Sequence, residues 1–377
     1  MRHQDAAPDN MARIIIFYLI RNSGHHAAAR ALESGIKLLK PKAEILCMDP
    51  LEYMHPRLSA TVTFHMLFVV KRAPELWDAL YDKKRAEPLV NLFQALANRA
   101  TDSLLDVIRR FSPDAIVCTQ AYPLALMSAM RRKFHTAIPM FGVVTDLRVH
   151  RFWSQGNHPA YIVPNEEAAH RLVSLGIRRD RIHVIGIPIS PTFEANAQFG
   201  AERPAGEHAR ILVMGGSRGM GPDYRTIRRL DQTPKPFIID AITGMNRRLA
   251  NRLVNNRRDF VHPVRIRGFV RNVAPLFARA TLLVSKPGGL TCAEAMAAGL
   301  PMLIAHPLPG QEQCNTEELV AHGAALHIEK DRDLPAVLTA LLDNPEMLAM
   351  MRRRALELAR PSAARDAARL ILSSCGA

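Results

Sequence analysis

The sequence predicts an α/β protein built as two doubly wound domains, each a parallel sheet, facing one another across a cleft. Three observations lead there. At 377 residues the chain exceeds one ordinary core, and two domains are expected. Short β-branched, apolar runs alternate with amphipathic helical stretches in two successive series. Glycine turns stand where an apolar run gives way to a helix, the place where doubly wound, Rossmann-like sheets bind ligands.

The first series opens with a strand over Arg13 to Leu19. A helix follows, with Ala28, Leu32, Ile36 and Leu39 on one face, stopped before Pro41. Glu44 to Met48 reads as the next strand, and Leu89 to Phe111 as a long amphipathic helix with Leu92, Leu96, Leu104, Val107 and Phe111 toward the core. Further strands are expected at Ala115–Thr119, Met140–Val144, Ala160–Val163 and Ile182–Ile185. Asn165 reads as the N-cap of a helix that closes at Gly176. Periodicity fades between Pro188 and His208, where proline, glycine and polar residues gather. The second series has strands at Ile211–Met214, Phe237–Ile242, Val264–Ile266, Leu282–Val284 and Met302–Ala305. A helical, arginine-rich tail runs from Glu346 to Ser373 and breaks at Pro361. The expected division is residues 1–195, residues 196–345, and C-terminal helices 346–377 that pack back on the first domain.

The chain carries 50 basic against 35 acidic residues, an excess that favours anionic partners. Nucleic acid, acidic lipid and phosphorylated substrates all qualify. No helix-turn-helix, zinc-finger or aromatic RNP pattern is present and the arginines are scattered, so a nucleic-acid partner is not expected. The five cysteines show no CxxC or metal spacing and read as reduced thiols of a cytosolic protein. Met1 to Asn10 lacks the apolar core of a secretory signal. The run Phe64 to Val70 is too short to span a bilayer, which takes about 20 apolar residues. Phe64, Phe68 and Trp77 are interleaved with Lys71, Arg72, Lys83, Lys84 and Arg85. That pattern suits an anionic membrane surface met from one side, or equally a core helix with a solvated face.

The densest signal is Ser285-Lys286-Pro287-Gly288-Gly289-Leu290-Thr291-Cys292-Ala293-Glu294. A strand feeds a glycine turn and then a helix whose free N–H groups attract phosphate. Gly288 and Gly289 leave that backbone bare, and Glu294, one turn on, is placed to accept from ribose hydroxyls. Gly215 and Gly216 begin a second glycine turn, with Ser217 and Arg218 as helpers for a diphosphate. It resembles a shifted GxGxxG, and Asp240 stands roughly where a dinucleotide site wants its acid, so an NAD-dependent oxidoreductase is a competing reading. His25, in Asn22-Ser23-Gly24-His25-His26, is either a general base at the cleft or an exposed neighbour of a helix cap. Asp146 ends a strand and serves as a base, a base's support, a sugar ligand or a simple cap. His150 and Trp153 shape the same pocket or pack as aromatics. Gln311, Glu312 and Asn315 are spaced to meet sugar hydroxyls or to cap their helix.

Together these motifs resemble the diacylglycerol glycosyltransferases, the family of monogalactosyldiacylglycerol synthase and bacterial processive glucosyltransferases, related to the peptidoglycan GlcNAc-transferase. The resemblance runs from about Ile14 to Leu341. It rests on Gly24-His25-x-x-Ala28-Ala29, Val144-Thr145-Asp146-Leu147, Ile185-Gly186-Ile187-Pro188, Met214-Gly215-Gly216 and Gly268-Phe269. Lys286-Pro287-Gly288-Gly289, Ala293-Glu294-Ala295, Gly299-Leu300-Pro301 and Pro309-Gly310-Gln311-Glu312 complete it. Three places depart from the family's pattern: the loop before His25 is poorer in glycine, Met245 stands where a basic residue is usual, and Ser217-Arg218 replaces a glycine–acid pair.

The resemblance implies a GT-B architecture and an inverting UDP-sugar-dependent hexosyltransferase that makes a β-glycosyl-diacylglycerol. UDP-glucose or UDP-galactose is the implied donor, diacylglycerol the acceptor, and anionic lipids the surface on the cytoplasmic face of the membrane. A polyprenyl-diphosphate intermediate is the alternative acceptor. The resemblance implies no metal and no other cofactor. His25 would be the base with Asp146 in support. Phe269 and Val270 would flank the uracil, Glu294 would bind ribose, the run Gly288, Gly289, Leu290, Thr291 would meet the phosphates, Gln311 and Glu312 the donor sugar, and Lys286 would belong to the donor site. His150, Trp153, Phe64, Phe68 and Trp77 would serve the acceptor and membrane.

Overall fold

Twelve parallel strands form two six-stranded sheets in a computed structural model that describes residues 11–54, 104–154, 160–196, 208–308 and 310–375. The first sheet holds β1 (Arg13–Phe17), β2 (Glu44–Met48), β3 (Ala115–Cys118), β4 (Met140–Val143), β5 (Ala160–Val163) and β6 (Ile182–Val184) in the order β2-β1-β3-β4-β5-β6. The second holds β7 (Ala209–Met214), β8 (Phe237–Ile242), β9 (Val264–Arg267), β10 (Leu282–Ser285), β11 (Met302–Ala305) and β12 (Ala325–Ile328) in the order β12-β11-β10-β7-β8-β9. The winding direction reverses between β1 and β3 in the first sheet and between β7 and β10 in the second. Crevices open at such reversals, beyond the carboxyl ends of the strands.

The strands are apolar because helices cover both faces. Ile14, Ile15, Ile16 and Phe17 of β1 are all fully buried, alternating between two core clusters on either side of the sheet. In the second sheet Ile211 and Val213 face one cluster while Leu212 and Met214 face another. The helix Gly24–Leu39 buries Ala28, Leu32 and Ile36 as the spacing predicts, but Leu39, in its last turn, is 38% exposed.

β1 stops at Phe17 rather than Leu19, since Ile20 turns into the left-handed region (φ 64°) and gives its N–H to Asp49 at 2.7 Å. β12 escaped the sequence reading. It is a four-residue edge strand with an exposed His327 at its centre, too short and too polar to show a period. Of the helix expected over Leu89 to Phe111, residues 104–111 are described and helical, with Leu104 fully buried. Phe64, Phe68 and Trp77 lie outside the described residues.

The tail forms two helices, Pro345–Leu358 and Ala363–Ser373, separated around Pro361. The second lies against the helix Gly24–Leu39. A Cβ on Gly35 would come within 2.5 Å of the Ala364 carbonyl oxygen, so glycine is required for that approach. Ala363, Ala364, Ala367, Ala368 and Ile371 are all fully buried in consequence. Among the described residues no helix is long and apolar enough to cross a membrane.

Candidate active site between the two sheets

On the first sheet's side the site begins where β1 ends. Ser23 caps the helix by accepting from the His26 N–H at 3.2 Å and donates to the Leu19 carbonyl at 2.8 Å. That cap places His25 in the first turn, beneath the end of β3. His25 Nδ1 lies 3.1 Å from the Thr119 carbonyl and 2.8 Å from Thr145 Oγ1. A carbonyl only accepts, so Nδ1 carries the proton and the neutral ring presents its lone pair at Nε2. Burial pulls the His25 pKa down to about 4, the Thr119 bond opposing it, so the ring is neutral at pH 7. Burial, with a contribution from the nearby His25, lowers His150 to about 3.

Asp146 stands just beyond β4. Its Oδ2 accepts from Gln311 Nε2 of the opposite sheet's helix at 2.8 Å. Burial and the charge of Glu312 push its pKa up to about 7, against Asn315 and Lys286. The expectation that Asp146 supports His25 is corrected here, because the ring's own partners are Thr119 and Thr145. Neither threonine was singled out from the sequence, although a polar residue closing an otherwise apolar strand was the available signal for Thr119.

The second sheet contributes two neighbouring turns, one after β7 and one after β10. In the first, Gly215 and Gly219 are demanded by the loop itself: a Cβ on Gly215 would lie 2.7 Å from the Gly221 nitrogen, and Gly219 has positive φ with the Thr243 carbonyl against it, while Gly244, just beyond β8, has positive φ with the Ser217 and Gly216 carbonyls against it. Gly216 differs. It too has positive φ (69°), yet a Cβ there would meet only Lys286 Cε, at 3.8 Å, so its face is open. Ser217 and Arg218 do not turn toward that opening. Ser217 donates to the Asn22 carbonyl and Arg218 to the Arg21 carbonyl at 3.1 Å, latching the two lobes together.

In the second turn Lys286 is ion-paired with Glu312, and both are largely buried. Glu312 also accepts from the Leu308 N–H at 2.9 Å. Gly288 is the N-cap of helix Gly289–Ala297 with no side-chain partner, leaving the first N–H groups of that helix unmet by a cap. Gly289 has a different reason for being glycine than the one expected. Its Cβ would overlap the Thr145 carbonyl oxygen and sit 2.9 Å from Asp146 Cα, so the missing side chain admits the other lobe rather than a phosphate. Leu290 packs on the second core and faces Gly24, and Thr291 is buried.

Glu294 lies one turn into this helix. Burial alone lifts its carboxyl to about 8, and no side chain or backbone group among the described residues pairs with it. Phe269, at the end of β9, is 48% exposed, while Val270 packs on the core beside it. Two expectations fail. Asn315 is fully buried, accepting from the Leu147 N–H at 3.0 Å and donating to the Pro287 carbonyl at 2.9 Å, so it ties the lobes and is not a sugar ligand. Trp153 is 2% exposed and belongs to the first core, so packing takes it away from the acceptor. His150 instead lines an interlobe cavity of about 560 Å³, with Arg148, Arg171, Gln311, Gln313 and Glu317.

The oxidoreductase reading loses its ribose acid. Asp240 sits in the middle of β8, 6% exposed, rather than at the strand's end where a dinucleotide ribose would lie. Two doubly wound sheets whose reversal points meet across one cleft are the GT-B architecture, and the match to a glycosyltransferase C-terminal domain makes the chain a glycosyltransferase of that class. The fold agrees with the MurG structure from Acinetobacter baumannii, at a TM-score of 0.63 and 18% identity over 96% of this chain and 99% of that one.

The chain is a glycosyltransferase whose two halves match two different family models. Residues 25–189 match the monogalactosyldiacylglycerol (MGDG) synthase family and residues 210–370 the glycosyltransferase family 28 C-terminal domain. It is similar to the processive diacylglycerol beta-glucosyltransferase of Bacillus pumilus, 28% identical over 73% of this chain and 71% of that protein. The protein of the same name from Bacillus mycoides is 24% identical over 93% and 91%.

Proposed function

We propose that this protein transfers a hexose from UDP-glucose or UDP-galactose to diacylglycerol with inversion, forming a β-glycosyl-diacylglycerol at the cytoplasmic face of the membrane. The observation that carries the reading is Glu294: a largely buried carboxyl, without a partner among the described residues, one turn behind a bare helix start and in the lobe opposite a neutral histidine. A carboxylate kept without a partner suits the vicinal hydroxyls of a ribose, each of which donates to it. Phe269 and Val270 offer a flat apolar face to the uracil. The first N–H groups of helix Gly289–Ala297, the open face of Gly216 and the Lys286 ammonium receive the diphosphate.

In the transfer, His25 Nε2 takes the proton of the acceptor hydroxyl as its oxygen forms the new bond to C1 of the sugar. The bond from C1 to the UDP oxygen breaks on the opposite face, and the departing charge is spread over the helix start and Lys286. The Thr119 carbonyl stabilises the imidazolium that results, through the Nδ1–H it already accepts. Gln311 and Glu312 orient the donor sugar, with Asp146 fixing Gln311. The reading needs no metal for the leaving group. The similarity to the Bacillus enzymes supports diacylglycerol as acceptor, and the basic excess supports an anionic lipid surface.

A screen of purified protein with UDP-glucose, UDP-galactose and UDP-GlcNAc against diacylglycerol and polyprenyl-diphosphate lipids in anionic vesicles tests this. A diacylglycerol hexoside is expected, with His25→Ala lowering kcat about a thousandfold while the UDP dissociation constant stays within about twofold. Product from no donor, or only on the polyprenyl lipid, overturns the acceptor assignment. A full rate in His25→Ala overturns the base.

A further inference from the structure

His306 terminates β11 in the left-handed region, with φ 54°, and is followed directly by Pro307. A residue that is not glycine seldom adopts that conformation, and a residue before proline is pressed further toward extended backbone. Such strain persists where surrounding contacts over-determine it. Here they do. His306 Nε2 lies 3.0 Å from Asp331 Oδ1 and 3.0 Å from Thr226 Oγ1. Thr226 is fully buried and itself donates to Asp331 Oδ2 at 3.0 Å. The three side chains come from three elements: the end of β11, the helix Tyr224–Leu230 that follows the glycine turn after β7, and the turn Asp331–Asp333 after β12. None belongs to the reacting centre described above. Yet the strained residue opens the short segment that leads into helix Gln311–Ala321, whose first two side chains reach Asp146 and Lys286.

We propose that His306 is a positioning residue for the donor sugar: the Asp331–His306–Thr226 anchor fixes the chain just beyond β11, five residues before Gln311, and so aims Gln311 and Glu312 into the cleft. The inference rests on the reading that those two residues meet the hexose. It deepens that reading by assigning the discrimination between UDP-hexose and bare UDP partly to a cluster outside the cleft. Glu312 is paired with Lys286, a diphosphate contact, so the part of the effect confined to the sugar is the part carried by Gln311.

The test compares His306→Ala, which keeps the strain and loses the anchor, with His306→Gly, which loses both. His306→Gln, which restores a nitrogen donor, is the conservative rescue. Calorimetry with UDP-glucose and with UDP needs no acceptor, so it is independent of which lipid the protein uses. The expected result is a loss of about tenfold in UDP-glucose affinity in both Ala and Gly variants, UDP affinity within about twofold of wild type, and partial recovery in Gln. In a Gln311→Ala background the His306→Ala loss should shrink toward nothing, because contacts acting through one group are not additive. Equal losses for UDP and UDP-glucose, full UDP-glucose affinity in both variants, or an undiminished loss in the Gln311→Ala background each overturn the proposal. A wild-type protein that binds UDP-glucose but glycosylates no lipid sinks the acceptor reading and leaves this one standing.

Discussion

Replacing Glu294 by glutamine should make the ligand-free protein more stable at alkaline pH and a poorer binder of UDP. Burial raises this carboxyl from 4.5 to about 8 in the folded chain. Between those values the unfolded chain has released the proton and the folded chain still holds it. Stability therefore falls as pH rises from about 4.5 and the loss is complete above about 8. A gap of roughly three to four pH units, at about 1.4 kcal/mol each, sets a ceiling of ~5 kcal/mol, and the water reaching this carboxylate reduces the expected effect to about 2 kcal/mol. Glutamine removes the charge and its burial cost. Thermal melts should show Glu294→Gln above wild type by several degrees at about pH 8.5 and level with it near about pH 4.5. Calorimetry with UDP should show the reverse ranking. Ribose hydroxyls donate best to the ionised acid, so wild-type affinity should climb by up to about tenfold per pH unit below 8 and then flatten. The variant should be flat throughout and at least about tenfold weaker at pH 8. A Glu294→Gln protein that melts lower at high pH would refute the burial argument, and one that binds UDP with wild-type affinity would refute the ribose assignment.

Two further outcomes are expected. Because the Asp146 carboxyl is pushed up to about 7 while His25 is held near 4, the kcat/KM profile for the acceptor, measured at saturating UDP-sugar so that Glu294 is already ionised, should rise with pH through an inflection near 7. That inflection belongs to Asp146, and it should vanish in Asp146→Asn; its survival there would assign it to another group. Gly289→Ala should separate the lobes, since its Cβ would overlap the Thr145 carbonyl. Transfer should fall by at least about tenfold with UDP binding nearly intact, because only the approach of the acceptor side is disturbed; an unchanged rate would show that this close approach is not used in turnover.

Much of the fold was legible because parallel strands buried on both faces are unbroken apolar runs, as in Ile14-Ile15-Ile16 or Leu282-Leu283-Val284. β12 was not, being an edge with His327 at its centre. The donor side of the site was legible for a local reason: strand, glycine turn, helix and acid are all consecutive in sequence around Lys286 and Glu294. What stayed hidden is long-range. Gly289 answers to Thr145, Ser217 to Asn22, and Asn315 to Leu147, each across the cleft and far along the chain. Nothing in the neighbourhood of Ser217 or Asn315 distinguishes a latch between lobes from a ligand contact, because both uses want the same short polar side chain facing the cleft. Trp153 illustrates the same limit for apolar residues, where a wedge in the core and a wall of a pocket share one composition.

The helix Ala363–Ser373 covers the flank of Gly24–Leu39, yet the whole of the second sheet lies between them in the chain. A ribosome therefore delivers the piece that seals the first lobe after it has delivered everything needed by the second. Until then Gly35 lacks the neighbour it packs on, and deleting a dozen residues past Arg360 would strip a wall from the lobe that carries His25.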